Sequence, residues 1–181
     1  SVGYLNEVII DYFKYSYKDL EIKYSIENEP LGTGGGIKKA LNYTDDNEVV
    51  IINGDTYYDV PIRQLRNMHK SKDAFLTIAL KPMQNVDRYG SVEINPDNRI
   101  KKFIEKNFFA QGLINGGIYF LNKNRFNQIE LPDIFSFEKD FLEKYYMHDF
   151  YGFISDGFFI DIGIPDDYKR AQHEFETIKN R

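Results

Sequence analysis

The 181 residues suit one compact domain with room for a real core, and 42% hydrophobic, 16% aromatic and 28% charged residues exclude a disordered or collagen-like chain. A net charge of −5 argues against a nucleic-acid footprint or a polybasic membrane patch, so any phosphate ligand needs locally placed positive groups. With no Cys, a disulfide framework, a thiolate zinc site and a Cys nucleophile are excluded. No basic-then-apolar leader opens the chain, and its apolar runs fall short of the roughly 18 residues that span a bilayer. A soluble, cytoplasmic protein is the expectation.

In chain order, Leu5, Val8, Ile9, Tyr12 and Phe13 have the spacing of one helical face. Ile22, Tyr24 and Ile26 alternate as in a half-exposed strand, and Val49 to Ile52 reads as a strand buried on both faces. Ile37 to Leu41 predicts a short helix after a glycine cluster, Ile62 to His69 a second helix after Pro61, and Phe75 to Leu80 another strand. The alternation predicts an α/β fold, with a mixed, mainly parallel sheet covered by helices on both faces. Ser91 to Ile94 and Ile100 to Ile104, split by Asn95-Pro96-Asp97-Asn98, predict an inserted β-hairpin. There follow a strand at Gly117 to Leu121, a helix around Phe137 to Tyr146, strands near Phe150 to Ser155 and Phe158 to Ile162, and a closing helix from Pro165.

The densest chemical signal is Leu31-Gly32-Thr33-Gly34-Gly35-Gly36, followed by Lys38 and Lys39. Glycines where a strand hands over to a helix let the backbone approach a phosphate or a flat base, and they equally suit a tight structural turn. The P-loop and dinucleotide patterns both fail here, because each needs a glycine at Ile37.

Asp55 lies just past the carboxyl end of Val49 to Gly54, the edge where open α/β sheets bind ligands, and Asp161 has the same local setting. Two carboxylates converging from separate strands suit Mg²⁺, whereas without a cation like charges about 4 Å apart repel by about 4 kcal/mol at an effective dielectric near 20. On spacing alone, each reads more readily as a solvated loop residue or a helix cap. Glu105-Lys106, Asn115-Gly116-Gly117 and Glu138-Lys139 are ordinary in isolation, and His69, His148 and His173 lack metal-ligand spacing. Ser136-Phe137-Glu138-Lys139 matches S-x-x-K, but its companion motifs are absent and the match reads as chance.

Taken in order, Leu31-Gly32-Thr33-Gly34-Gly35, Asn53-Gly54-Asp55, Tyr89-Gly90, Glu105-Lys106, Asn115-Gly116-Gly117-Ile118-Tyr119 and Phe159-Ile160-Asp161-Ile162-Gly163 resemble the sugar-1-phosphate nucleotidylyltransferases. Gln111 to Tyr119 looks most like the heptose 1-phosphate guanylyltransferase branch, with the mannose-1-phosphate guanylyltransferases as near relatives. The resemblance implies an enzyme that joins a sugar 1-phosphate to the α-phosphate of a nucleoside triphosphate, GTP in that branch, for surface polysaccharide. It places Leu31, Gly32, Thr33 and Gly34 against the base and ribose, with Gly54 beside Asp55, and Mg²⁺ on Asp55 and Asp161. Lys106 would grip the sugar phosphate and Glu105 the sugar hydroxyls, Tyr89, Gly90, Asn115 and Gly116 would complete the sugar pocket, and Glu138 would contribute from its helix.

The chain departs from the family pattern at Ile164, where Thr is frequent, and at Gly36, where Ala is common. The family's opening G-G-x-G-T-R-L segment and a downstream P-K have no counterpart, so the first βαβ portion is expected to be missing and this chain alone to be inactive. A nucleotide-sugar binding subunit that lost the triphosphate loop is the reading from a different class. Homo-oligomerisation is left open.

Overall fold

The computed structural model describes residues 1–86, 90–104 and 109–179. The elements run α1 (Asn6–Phe13), β1 (Ser16–Tyr17), β2 (Leu20–Glu21), α2 (Gly32–Ala40), β3 (Glu48–Ile52), β4 (Thr56–Tyr58), α3 (Ile62–Ser71) and β5 (Leu76–Val86). Then come β6 (Ser91–Ile94), β7 (Ile100–Ile104), β8 (Phe109–Asn122), α4 (Lys123–Phe126), a π-helical turn (Phe137–Leu142) leading into α5 (Glu143–Tyr145), β9 (Phe150–Ile154), β10 (Phe159–Asp161) and α6 (Pro165–Lys179). The chain packs as two compact units, Ser1–Asn47 with Lys123–Tyr146, and Glu48–Asn122 with Met147–Arg181.

In the first unit α1 forms where the apolar spacing predicts it. None of its residues is buried: Val8 is 62% and Tyr12 78% exposed. The strand expected over Ile22 to Ile26 reduces to a single parallel bridge between Val2 and Ile26, because no neighbouring strand among the described residues offers a ladder; the local pairing is instead the β1–β2 hairpin. The glycine cluster, expected as a loop, is the opening of α2 itself. An aromatic core holds the other half of the unit, with Phe126 edge-on to Phe141 at 4.9 Å and Phe137 stacked on Phe141 at 5.1 Å.

The second unit is built on β8, which is long enough to carry β5 along one side and β3 and β6 along the other. The sheet is mixed and accompanied by helices, as expected, but its hydrogen bonding among the described residues is not mainly parallel. β5–β9 is the parallel ladder, and β3–β8, β5–β8, β6–β7 and β6–β8 are antiparallel. The reason is β8 itself: β3, β5 and β9 do point the same way, as repeated strand–helix units require, but β8 runs between β3 and β5 in the opposite sense. The hairpin of β6 and β7 forms as predicted and joins the sheet through Ser91 opposite Ile114.

β3 also differs from its expected burial on both faces, since Val50 and Ile52 are exposed. The apolar core of this unit lies instead on Tyr58, Val60, Leu65, Ala79, Ile118 and Phe120. α6 opens at Pro165 with Asp166 and Asp167 in its first turn, as its residue types dictate.

Candidate active site

Asp55 follows β3 in the short turn into β4, and β4 pairs antiparallel with β10, placing Thr56 opposite Asp161. The Ile162 amide donates to the Asp55 carbonyl at 2.8 Å, tying the two aspartate-bearing ends together. Asp161 Oδ1 accepts from the Gly163 amide at 2.8 Å, and Thr56 Oγ1 donates to Asp55 Oδ1 at 3.3 Å. A Cβ on Gly163 would lie 3.0 Å from Asp161 Oδ1 and 3.8 Å from Asp55 Oδ2, so an oxygen of each carboxylate borders the same small space. Two residues 106 positions apart are thus brought to one point, as the spatial expectation requires (161 − 55 = 106).

Among the described residues no cluster of three or more His, Cys, Asp or Glu side chains could hold a metal. The Asp55–Asp161 donor set still fits a hard divalent cation, which takes one or two carboxylates from a protein and completes its shell with water and phosphate oxygens.

In the same unit, Asn115-Gly116-Gly117 forms a bulge in β8: Ile78 pairs with Tyr119, but Leu80 already faces Asn115. Gly117 sits at φ +72°, a left-handed conformation that suits glycine, and its amide is held by Asn115 Oδ1 at 3.1 Å. Its carbonyl accepts from the Asn53 amide at 2.9 Å, and a Cβ there would meet the Asn53 side chain at 3.0 Å. Gly116 has no room for a Cβ because the Tyr58 ring lies against it. Asn115 Nδ2 in turn donates to the Tyr119 hydroxyl at 2.8 Å. The bulge therefore fixes Asn115 next to the carboxyl end of β3. Gly54 has open space around it, and Gly90 precedes β6 with a Cβ position 3.0 Å from the Ile104 carbonyl. Tyr89, Glu105 and Lys106 lie outside the described residues.

A second group of expected residues lies in the first unit. Gly32 adopts φ +72°, and a Cβ there would sit 2.6 Å from the Phe135 carbonyl oxygen. Gly34 faces the Phe135 ring and Gly35 the Asp133 carbonyl, each with no room for a side chain. The Gly34 amide donates to the Phe135 carbonyl and the Phe135 amide to the Leu31 carbonyl, both at 3.0 Å. So these glycines answer to close packing of the 133–135 segment, and Gly34, Gly35 and Gly36 are buried. Thr33 Oγ1 donates to Glu138 Oε2 at 2.8 Å and accepts from the Phe137 amide at 2.9 Å.

The lysines behind the cluster are committed elsewhere. Lys38 Nζ donates to Asp133 Oδ1 and to the Leu131 carbonyl, each at 2.8 Å, and that ammonium holds the Asp133 carboxyl below the usual carboxylate range. Lys39 Nζ donates to the Ile26 carbonyl at 2.5 Å.

Sequence reasoning missed Phe135 and Tyr58, and gave Asn53 and Ser136 no role of their own. Ser136 left a signal: a Ser just ahead of a helical run is an N-cap, and its hydroxyl accepts from the Lys139 amide at 3.2 Å. That role replaces the S-x-x-K coincidence.

The profile of the Nucleotidyl transferase family matches residues 4–178, nearly the whole chain. A D-glycero-alpha-D-manno-heptose 1-phosphate guanylyltransferase of Aneurinibacillus thermoaerophilus is 53% identical over 97% of this chain and 76% of its own. The enzyme of that name from Campylobacter jejuni is 46% identical over 93% of this chain and 74% of its own. Among solved structures, HddC from Yersinia pseudotuberculosis complexed with GMP-PN superposes with a TM-score of 0.82 at 38% identity, covering 97% of this chain and 76% of that one. No described helix is long and apolar enough to cross a membrane.

Proposed function

Because the chain belongs to the nucleotidyl transferase family, we propose that it transfers a guanylyl group from GTP to D-glycero-D-manno-heptose 1-phosphate, giving the GDP-sugar and pyrophosphate. The observation that carries this reading is the 53% identity to a heptose 1-phosphate guanylyltransferase along 97% of the chain. Mannose-1-phosphate enzymes stand further off, at 32% identity for the one from Yarrowia lipolytica.

The chemistry asks little of a general base. An ionised oxygen of the sugar phosphate attacks the α-phosphorus of GTP, the new P–O bond forms as the bond to the β-phosphate oxygen breaks, and pyrophosphate leaves with the electron pair. Catalysis of this kind rests on alignment and on charge neutralisation. In our reading Asp55 and Asp161 hold Mg²⁺, which offsets the charge on the phosphates when bound. Gly32, Thr33 and Gly34, with Leu31, receive the base and ribose. Asn115, Gly116 and Gly90 shape the sugar pocket together with Tyr89, Glu105 and Lys106, whose ammonium takes the sugar phosphate. The reaction is assigned to the cytoplasm, where nucleoside triphosphates are available.

The test is product identification by mass spectrometry after incubating the complete gene product with each pairing of four nucleoside triphosphates and heptose, mannose or glucose 1-phosphate. GTP with the heptose phosphate is expected to give GDP-heptose fastest. Faster turnover of a different pairing would move the assignment to another member of the family.

A further inference from the structure

We infer that Glu138 is a positioning residue for nucleotide binding, which acts by clasping Thr33 and does not itself touch the nucleotide; the inference rests on the guanylyltransferase reading. Thr33 has one hydroxyl proton, and it is given to Glu138 Oε2 at 2.8 Å. One of its lone pairs accepts from the Phe137 amide at 2.9 Å. The side chain therefore has no proton left for a ligand, and what the opening turn of α2 presents to a base or ribose is main chain at Gly32 and Thr33, since the Gly34 amide is already given to the Phe135 carbonyl.

The clasp is built from both sides. Glu138 Oε2 also accepts from Ser136 Oγ at 3.2 Å, so one carboxylate oxygen gathers two hydroxyls. The Gly34–Phe135 and Phe135–Leu31 backbone bonds fasten the same two segments one residue away. Glu138 projects from a π-helical turn, a widened geometry frequent at functional sites. Its turn is pinned at the entry, where the Ser136 amide donates to Asp140 Oδ2 at 3.0 Å. α2 opens on glycine at φ +72°, and the Glu138 carboxylate and the Phe137 amide on the facing segment hold the Thr33 hydroxyl in a single orientation.

Four variants of the complete gene product separate this role from its rivals: Glu138→Gln, whose amide oxygen still accepts from Thr33, Glu138→Ala, Thr33→Val, and the last two combined. The Kd for Mg·GTP by calorimetry and amide hydrogen exchange over residues 32–34 in the free protein are read on the same samples, whose Tm is also recorded. Loss of one charge-assisted hydrogen bond corresponds to about a tenfold rise in Kd, expected for Glu138→Ala and Thr33→Val, with faster exchange in both. The double variant should be no worse than either single one, because one interaction has been removed twice. Glu138→Gln should stay within about threefold of the parent, since an amide oxygen replaces the carboxylate acceptor.

A Glu138→Gln variant as weak as Glu138→Ala would assign the charge a direct role and overturn the inference. So would a Glu138→Ala variant of lower Tm but unchanged Kd, which marks a merely structural contact. If Glu138→Ala does not fold, Thr33→Val decides by the same two readings. A parent protein that binds no nucleotide, while Thr33→Val still loosens the turn, would sink the functional reading and leave the clasp standing.

Discussion

The main-chain bond from the Ile162 amide to the Asp55 carbonyl, 2.8 Å long, fastens the turn bearing Asp55 to the end of the strand bearing Asp161 through backbone alone. The side chains are thereby left to other work, and substitutions that keep their shape leave this link intact. Asp55→Asn and Asp161→Asn should each retain the parent's circular dichroism and Tm within a few degrees. Each should lower kcat by about a hundredfold or more, the scale for removing one preorganised charge from a phosphoryl-transfer site. Stopped-time assays of pyrophosphate release check this, and unaltered turnover in both would contradict it.

Gly163 faces the two carboxylates, and its backbone conformation is one that any residue adopts. Gly163→Ala puts a methyl group 3.0 Å from Asp161 Oδ1 and 3.8 Å from Asp55 Oδ2. We expect a rise of at least about fivefold in the Mg²⁺ concentration giving half-maximal rate, with a stability change below about 0.5 kcal/mol, the range of surface substitutions away from special features. Metal-dependent rates and urea melts of the same samples are the measurements.

Gly34 has the opposite character, because its neighbour is the Phe135 ring and there is no space for a methyl group. Gly34→Ala should cost about 1–3 kcal/mol as overpacking, and Phe135→Leu in the same chain should recover part of it. Chemical denaturation of the single and double variants is the check.

Tyr58 is buried at 6% exposure, and its hydroxyl donates towards two carbonyls, Leu80 at 3.0 Å and Ser155 at 2.5 Å. Burial pushes the phenol up to about 12 from its usual 10.0. Between those values the folded chain keeps a proton that the unfolded chain has lost, so stability falls as pH rises from 10 towards 12. The loss is about 2 kcal/mol, from about 1.4 kcal/mol per pH unit reduced for partial solvation. Tyr58→Phe should be less stable at pH 7 by about 1 kcal/mol, through the lost hydroxyl bond to the Ser155 carbonyl, since the Leu80 carbonyl keeps the Ser155 amide at 3.1 Å, and should lose that part of the alkaline slope. Urea melts from pH 8 to 12 test both halves.

Much of the second unit was legible because its signals are local. Val49 to Ile52 leads into Asn53-Gly54-Asp55, and strand followed by turn is enough to put Asp55 just past the carboxyl end of β3. That β8 would run against both β3 and β5 was not legible, since strand direction depends on which partners meet and not on the pattern within Gly117 to Leu121. The glycine cluster was read for its freedom, whereas the structure uses Gly34 and Gly35 for their lack of a side chain against residues about a hundred positions later. A non-local contact of that kind leaves no periodicity to read. Thr33 belonged to the resemblance as a ligand residue, yet its proton is already spent on Glu138.

The central claim is that Asp55 and Asp161 together hold one divalent ion for guanylyl transfer. Its most direct test is a titration of the complete gene product with Mn²⁺ in the presence of GTP, read by the loss of the free-ion electron paramagnetic resonance signal. The account predicts a bound ion in the parent protein and affinity lowered at least about tenfold in both Asp55→Asn and Asp161→Asn, in line with loss of a metal-site group. Parent-like Mn²⁺ affinity in both variants would contradict it.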